Sequence, residues 1–166
     1  MITLISLRHF TESDIPLLKS YLNNATVTQY ITDAIPKPYT EADAKWWVNH
    51  CKGSSLIQVI EFNGTFVGCI SASRGDFEYQ CSAELGYWLG EDYWNKGIAT
   101  EAVKLFVDIL FKHHALVRLF VSVVSINHAS IRVLEKNNFV LEGQLSKASC
   151  KNNQYFDEML FAKVTK

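Results

Sequence analysis

Apolar and polar residues alternate from Ser82 to Leu89, which places Ala83, Leu85, Tyr87 and Leu89 on one face of a strand and Ser82, Glu84, Gly86 and Trp88 on the other. The period then changes. Ile98, Ala102, Leu105, Phe106 and Ile109 recur at three and four, with Glu101, Lys104, Asp108 and Lys112 opposite, and this predicts an amphipathic helix opening on the turn at 93–100. Before this unit, residues 2–8 alternate like a strand. Thr11-Glu12-Ser13-Asp14 then offers a cap and acidic first turn for a helix carrying Ile15, Leu18 and Leu22. Residues 26–39 are irregular. Thr40-Glu41-Ala42-Asp43 is a second capping pattern, and its helix carries Trp46, Trp47 and His50. Asn63-Gly64 between the apolar runs 56–62 and 65–73 is a hairpin signal. A connection at 76–80 leads to the strand of Glu84.

After the long helix, residues 117–125 alternate again, and a helix over 127–137 turns Ser130, Ile131 and Leu134 inward with Arg132, Glu135 and Lys136 outward. Two strands, 139–149 and 154–164, close the chain around a polar loop at 150–153. The pattern as a whole predicts an α+β fold: a mixed, mostly antiparallel sheet of about seven strands with about four helices on both faces. Its two central strands run parallel, because the long helix between them must return the chain to the same sheet.

Length and composition narrow the function classes. With 166 residues, 48% of them hydrophobic, the expectation is one domain spanning 1–166. A net charge of -1 with both signs dispersed gives no basic stripe for nucleic acid, and no apolar run suits a membrane. The first residues lack the pattern of a secretion signal, so a cytoplasmic location is expected. Cys51, Cys69, Cys81 and Cys150, with His9, His50, His113, His114 and His128, show no zinc-like spacing, so no metal is expected.

The turn at 93–100 carries the candidate chemistry. A helix opened on Gly97 and Ala99 aims unpaired N-H groups and a positive dipole end at whatever lies above it, and small residues there let a phosphate approach. Taken singly, Gly97 is equally a tight-turn residue and Glu84 a surface or ion-paired carboxylate. Neither Gly-x-x-x-x-Gly-Lys-Ser/Thr nor Gly-x-Gly-x-x-Gly occurs, which argues against nucleotide-binding folds of those kinds.

Two motifs together make the resemblance specific. Tyr93-Trp94-x-x-Gly97-x-Ala99-Thr100-Glu101-Ala102 and Asn127-x-x-Ser130-Ile131-x-Val133-Leu134-x-Lys136-x-x-Phe139 are similar to the acyl-CoA motif and to the Asn-x-x-Ser...Gly-Phe signature of the GCN5-related N-acetyltransferase (GNAT) superfamily. The branch resembled is that of the RimJ/RimL-like ribosomal-protein N-terminal acetyltransferases and their small-molecule-modifying relatives, over nearly the whole chain. Trp94 stands where the motif has Arg or Gln, so one side-chain contact to the coenzyme should be missing. Asn138 replaces the Gly before Phe139, and Asn is the non-glycine residue best suited to a left-handed helix end.

The resemblance implies a single GNAT domain and an acyltransferase of the EC 2.3.1 class. It would move an acetyl group from acetyl-CoA to a primary amine, a protein N-terminus or a small molecule, by direct transfer in a ternary complex. Backbone groups of Leu85, Gly86, Tyr87, Trp88 and Leu89 would pair with the pantetheine arm. The turn of Asn95, Lys96, Gly97, Ile98, Ala99 and Thr100 would hold the pyrophosphate, with Lys96 either a point charge at its rim or a solvated turn residue. Glu84 would be the general base, directly or through water, desolvated in its place on the strand. Asn127 would read the arm or cap its helix, and Ser130 would protonate the leaving thiolate or bond back along its helix. A catalytically silent acyl-CoA-binding module is the alternative, and either a monomer or a homodimer fits.

Overall fold

The alternating stretch at Glu84 is a strand over Ser82–Leu89, and the helix after it covers Ile98–His113, in a computed structural model describing residues 4–165. In chain order the elements are β1 (Ile5–Arg8), α1 (Ile15–Leu22), α2 (Ala25–Thr28), α3 (Glu41–His50), β2 (Ile57–Phe62), β3 (Thr65–Arg74), β4 (Ser82–Leu89), α4 (Ile98–His113), β5 (Arg118–Val124), α5 (His128–Lys136), β6 (Val140–Lys151) and β7 (Gln154–Val164). Residues 2 and 3 of the first expected strand lie outside the described residues. The strands are ordered β1-β2-β3-β4-β5-β7-β6. β4 and β5 pair parallel, as their connection through α4 requires, while β1–β2, β2–β3, β5–β7 and β6–β7 pair antiparallel.

Two local expectations are corrected. The short helix α2 occupies part of the stretch read as irregular, because the Asn24 side chain accepts from the N-H groups of Thr26 at 2.9 Å and Val27 at 3.4 Å. The last hairpin turns on Asn152-Asn153 alone, at φ 51 and 59, so Cys150 and Lys151 extend β6 instead of forming a loop.

The described chain divides into two compact units, one running to Ser71 with Tyr87–Ala102, the other Ala72–Gly86 with the chain from Val103 onward. In the first, the predicted capping box forms: Thr40 Oγ1 accepts from the Asp43 N-H at 3.2 Å and Asp43 Oδ2 accepts from the Thr40 N-H at 2.7 Å. Its core gathers Phe10, Ile15, Leu18, Leu22, Val59 and Phe66, with Trp47 and Trp88 packed against it, while Trp46 is exposed. Adjacent helical tryptophans thus separate, one to the core and one to solvent.

Gly68 allows β3 to lie against the end of β4: a Cβ there would stand 2.1 Å from the Trp88 carbonyl oxygen and 2.7 Å from Leu89 Cδ2. Backbone cannot yield as a side-chain tip can. Gly68→Ala is therefore expected to cost about 2 to 3 kcal/mol of unfolding free energy. A urea transition matching the parent would contradict that contact.

Asp14, buried at the start of α1, is held by a forked Arg8, whose Nη1 and Nη2 donate to its carboxylate at 2.8 Å, and by the Thr11 N-H at 2.9 Å. Arg8 Nε donates to Glu61 Oε1 at 2.8 Å. Burial favours the neutral acid, but Arg8 and Thr11 outweigh it and hold the Asp14 carboxyl below the usual carboxylate range. A carboxyl lowered on folding contributes stability above its unfolded pKa of about 3.9 and loses it as pH falls through the folded value. Asp14→Asn should thus cost about 2 kcal/mol at pH 7, less than a fully buried pair because Arg8 is partly exposed, with the gap to the parent narrowing below about pH 4. Urea unfolding at both pH values tests this, and a constant gap would count against the pairing.

In the second unit, α4 brings Val103, Phe106, Val107 and Leu110 into a core with Ala83, Leu85, Leu119, Val121 and Val123. Asn138 closes α5 at φ 60, with the Phe139 N-H on the Leu134 carbonyl at 3.0 Å and the Asn138 N-H on Glu135 at 3.0 Å, the left-handed stop its sequence predicts. β6 is the sheet edge, and its register against β7 shifts between Leu141 and Gly143 and again between Leu145 and Ser149. Lys147, at φ 50 in the second irregularity, donates its N-H to Asp157 Oδ1 at 2.8 Å.

Candidate active site

In the first unit, β4 ends at Leu89 and the chain turns through a short 3-10 segment, Glu91–Tyr93, into α4. Gly90 sits under Tyr21: a Cβ there would meet Tyr21 Cε1 at 2.6 Å. The Tyr21 hydroxyl donates to the Phe66 carbonyl at 3.1 Å, and burial with nearby Tyr93 pushes the phenol up to about 12, so it stays a donor at neutral pH. Asn24 Nδ2 bonds Glu91 Oε2 at 2.8 Å, and Trp94 Nε1 donates to the Leu89 carbonyl at 2.9 Å.

Past Trp94, Asn95 at φ 58 and Gly97 at φ 76 flank Lys96 in left-handed conformations, and the Gly97 carbonyl accepts from the Glu101 N-H at 3.1 Å as the first bond of α4. Among the described residues, the N-H groups of Asn95, Lys96, Gly97, Ile98 and Ala99 have no acceptor. A Cβ on Gly97 would meet nothing within 4 Å, so the space beside Gly97 is open. Exposed N-H groups at the start of a long helix make an anion-binding concavity. Asn95, Lys96 and Gly97 are exposed, Ile98 is buried as an anchor, and Ala99 and Thr100 are half-buried. Lys96 Nζ lies 5.5 Å from the centre of the Tyr93 ring. Of the β4 residues in this unit, Leu89 is buried and Tyr87 and Trp88 half-buried. The Trp88 ring stands 6.1 Å from Tyr21 and from Phe66, in the aromatic core.

In the second unit, the parallel pairing of β4 with β5 runs Ser82↔Arg118, Ala83↔Leu119 and stops at Glu84↔Phe120, although β5 continues to Val124. Leu85, buried, and Gly86, exposed, lie beyond the last registered pair. Glu84 is exposed, and among the described residues its carboxylate has no hydrogen bond or ion pair. The expected desolvation is therefore not provided by this unit, since its alternate face points Glu84 away from the core of Leu119, Val121 and Val123.

Asn127 caps α5, its Oδ1 accepting from the Ser130 N-H at 3.2 Å. The cap uses the carbonyl and leaves the amide NH2 without a partner among the described residues, so Asn127 can cap and still donate. Ser130 is half-buried one turn into α5.

Sequence reading did not find Ser122 and Glu158. Directly paired strand residues share a face, so Glu84 with Phe120, and Val124 with Glu158, lie on one side of the sheet, where Ser122 bonds the Glu158 carboxylate. Alternation on β5 places Ser122 on that face. Glu158 joins it only through the β5–β7 register, which no local pattern encodes. Among the described residues no group of three or more His, Cys, Asp or Glu could hold a metal, and no helix is long and apolar enough to cross a membrane.

Comparison with known proteins gives the class to which this fold belongs, that of the acetyltransferases. The model of the acetyltransferase (GNAT) domain matches residues 5–140, and the chain belongs to that family. It is an N-acetyltransferase of the EC 2.3.1 class. It is 29% identical over 161 residues to the uncharacterized N-acetyltransferase YnaD of Bacillus subtilis, covering 94% of this chain and 91% of that protein. It is 30% identical over 115 residues to the ribosomal-protein-serine acetyltransferase of Escherichia coli, covering 69% and 64%. A GNAT-family acetyltransferase structure from Bacillus anthracis superposes with a TM-score of 0.84 at 28% identity, over 96% and 94% of the two chains.

Proposed function

We propose that the chain, working as one domain over 1–166, acetylates a primary amine by direct transfer from acetyl-CoA, with Glu84 as general base. The acyl donor is acetyl-CoA; solved structures of this fold hold coenzyme A or acetyl-CoA. The observation that carries the reading is the Glu84 carboxylate, exposed and unpartnered at the last registered pair of β4 and β5. An ion-paired carboxylate would have a partner, as Asp14 and Glu61 have in Arg8, and the activity of a Glu84→Gln enzyme separates the general base from a surface carboxylate.

The diphosphate of the coenzyme is taken by the unpaired N-H groups of the turn from Asn95 to Ala99, and its pantetheine arm runs along Leu85, Gly86, Tyr87, Trp88 and Leu89. The Asn127 amide donates to a carbonyl of the arm. The amine arrives as an ammonium; Glu84, directly or through one water, removes a proton. The freed nitrogen attacks the thioester carbonyl, a C–N bond forms and the C–S bond breaks. Ser130 gives its proton to the departing thiolate and is reprotonated by the proton that the new amide nitrogen must lose, so the products are the N-acetyl amide, coenzyme A thiol and the proton held by Glu84.

The acceptor is a protein N-terminus or a small-molecule amine. The name of the Escherichia coli relative makes peptides with an N-terminal serine the first acceptors to test. Thiol release from acetyl-CoA is to be followed against N-terminal peptides and against free amines. Turnover with either class supports the reading, whereas coenzyme binding with no release on any amine would make the chain a silent acyl-CoA-binding module.

A further inference from the structure

Trp94 occupies the motif position at which this family's pattern has a side chain able to reach the coenzyme, and its one side-chain donor is committed elsewhere. An indole has one N-H and no acceptor nitrogen. That N-H is spent on the Leu89 carbonyl at 2.9 Å, with a second tie from the Trp94 backbone N-H to the Glu91 carbonyl at 3.1 Å. Trp94 therefore closes a ring over Gly90 and the segment Glu91–Tyr93, bringing the end of β4 and the entry of the turn together. It is half-buried, extended at φ -72 and ψ 158, and directly precedes the left-handed Asn95.

The residues it leads into are those whose N-H groups have no acceptor among the described residues. A turn with two left-handed residues and a run of unpaired donors favours its own geometry weakly, because in the free protein those donors gain nothing from pointing the same way. Other ties fix the outer part of the loop: Tyr21 against Gly90, Asn24 on Glu91, and the Phe62 and Tyr93 rings 6.2 Å apart. Among the described residues, only the Trp94 bond joins the strand to the residue immediately before the donors.

We propose that Trp94 is a positioning residue for coenzyme binding: its indole N-H, bonded to the Leu89 carbonyl, holds the turn of Asn95, Lys96, Gly97, Ile98 and Ala99 in its diphosphate-accepting form, replacing a direct side-chain contact by preorganisation. This rests on the assignment of the turn to the coenzyme diphosphate. Trp94→Phe keeps the ring and removes the donor. Its affinity for coenzyme A, read by calorimetry, should fall about five- to twentyfold, the range expected for losing one hydrogen bond and the order it imposes. At saturating acetyl-CoA, kcat and the acceptor KM should stay within about twofold of the parent, because the reacting atoms are untouched.

Trp94→Arg gives up the indole bond but offers a guanidinium to the diphosphate, and should recover at least half of the lost affinity on a logarithmic scale. Parent-like coenzyme affinity in Trp94→Phe overturns the proposal. So does a parallel fall of kcat, acceptor KM and melting temperature, which marks plain structural damage, or a folded Trp94→Arg protein as weak as Trp94→Phe. Since calorimetry needs no turnover, a chain that binds coenzyme A yet acetylates no amine defeats the proposed reaction and leaves the role of Trp94 decided by the same titrations.

Discussion

A Glu84→Gln enzyme is expected to turn over about ten- to a thousandfold more slowly than the parent near neutral pH, the usual weight of a general base. The amide keeps the shape and loses the basicity. The Glu84 carboxylate has no partner among the described residues, so the substitution breaks no ion pair, and melting temperature and coenzyme affinity should barely move. Much of the loss should return at alkaline pH, where solution already supplies deprotonated amine. Ser130→Ala separates the two proton transfers: its defect should persist at high pH, because the thiolate leaves after the amine has attacked. Full activity of Glu84→Gln at pH 7 would reduce Glu84 to a surface carboxylate and shift the base to a water on the strand carbonyls. Alkaline rescue of Ser130→Ala to the same degree would remove its separate role.

Gly97→Val should weaken coenzyme A binding about a hundredfold. Two effects add. At φ 76 an L-residue is strained by about 1 to 2 kcal/mol, and a branched side chain would occupy the open space beside Gly97 that the proposed diphosphate site needs for close backbone approach. Gly97→Ala separates them, since its single methyl meets nothing within 4 Å and leaves mainly the backbone strain; about tenfold is expected. Calorimetry on variants whose far-ultraviolet circular dichroism matches the parent measures both. Parent-like affinity in a folded Gly97→Val protein would move the diphosphate elsewhere.

What the sequence disclosed, it disclosed through local physics. The Thr40/Asp43 capping box, the Asn63-Gly64 turn at φ 49 and 80, the left-handed Asn138 and the opening of α4 on Gly97 each depend on residues a few positions apart. The parallel β4–β5 pair followed from connection length alone. Pairings set by distant register were hidden: Ser122 meets Glu158 through β5–β7, and Arg8 meets Glu61 through β1–β2. The exposure of Glu84 was hidden too, because period two separates faces without saying which of them is covered. Trp94 fell between these cases. Its departure from the motif was visible, but the use of its N-H on Leu89 needed coordinates.

The edge strand β6 has a bearing on how this protein tolerates crowding. A strand of 12 residues at a sheet margin, with Val140, Leu141 and Leu145 exposed, is the kind of surface on which neighbouring chains stack into fibrils. Its two register irregularities against β7, the second marked by Asp157 on the Lys147 N-H, interrupt the regular run of backbone donors and acceptors that a foreign strand would pair with. An interruption of this kind lies in backbone geometry, which salt does not screen as it screens charge.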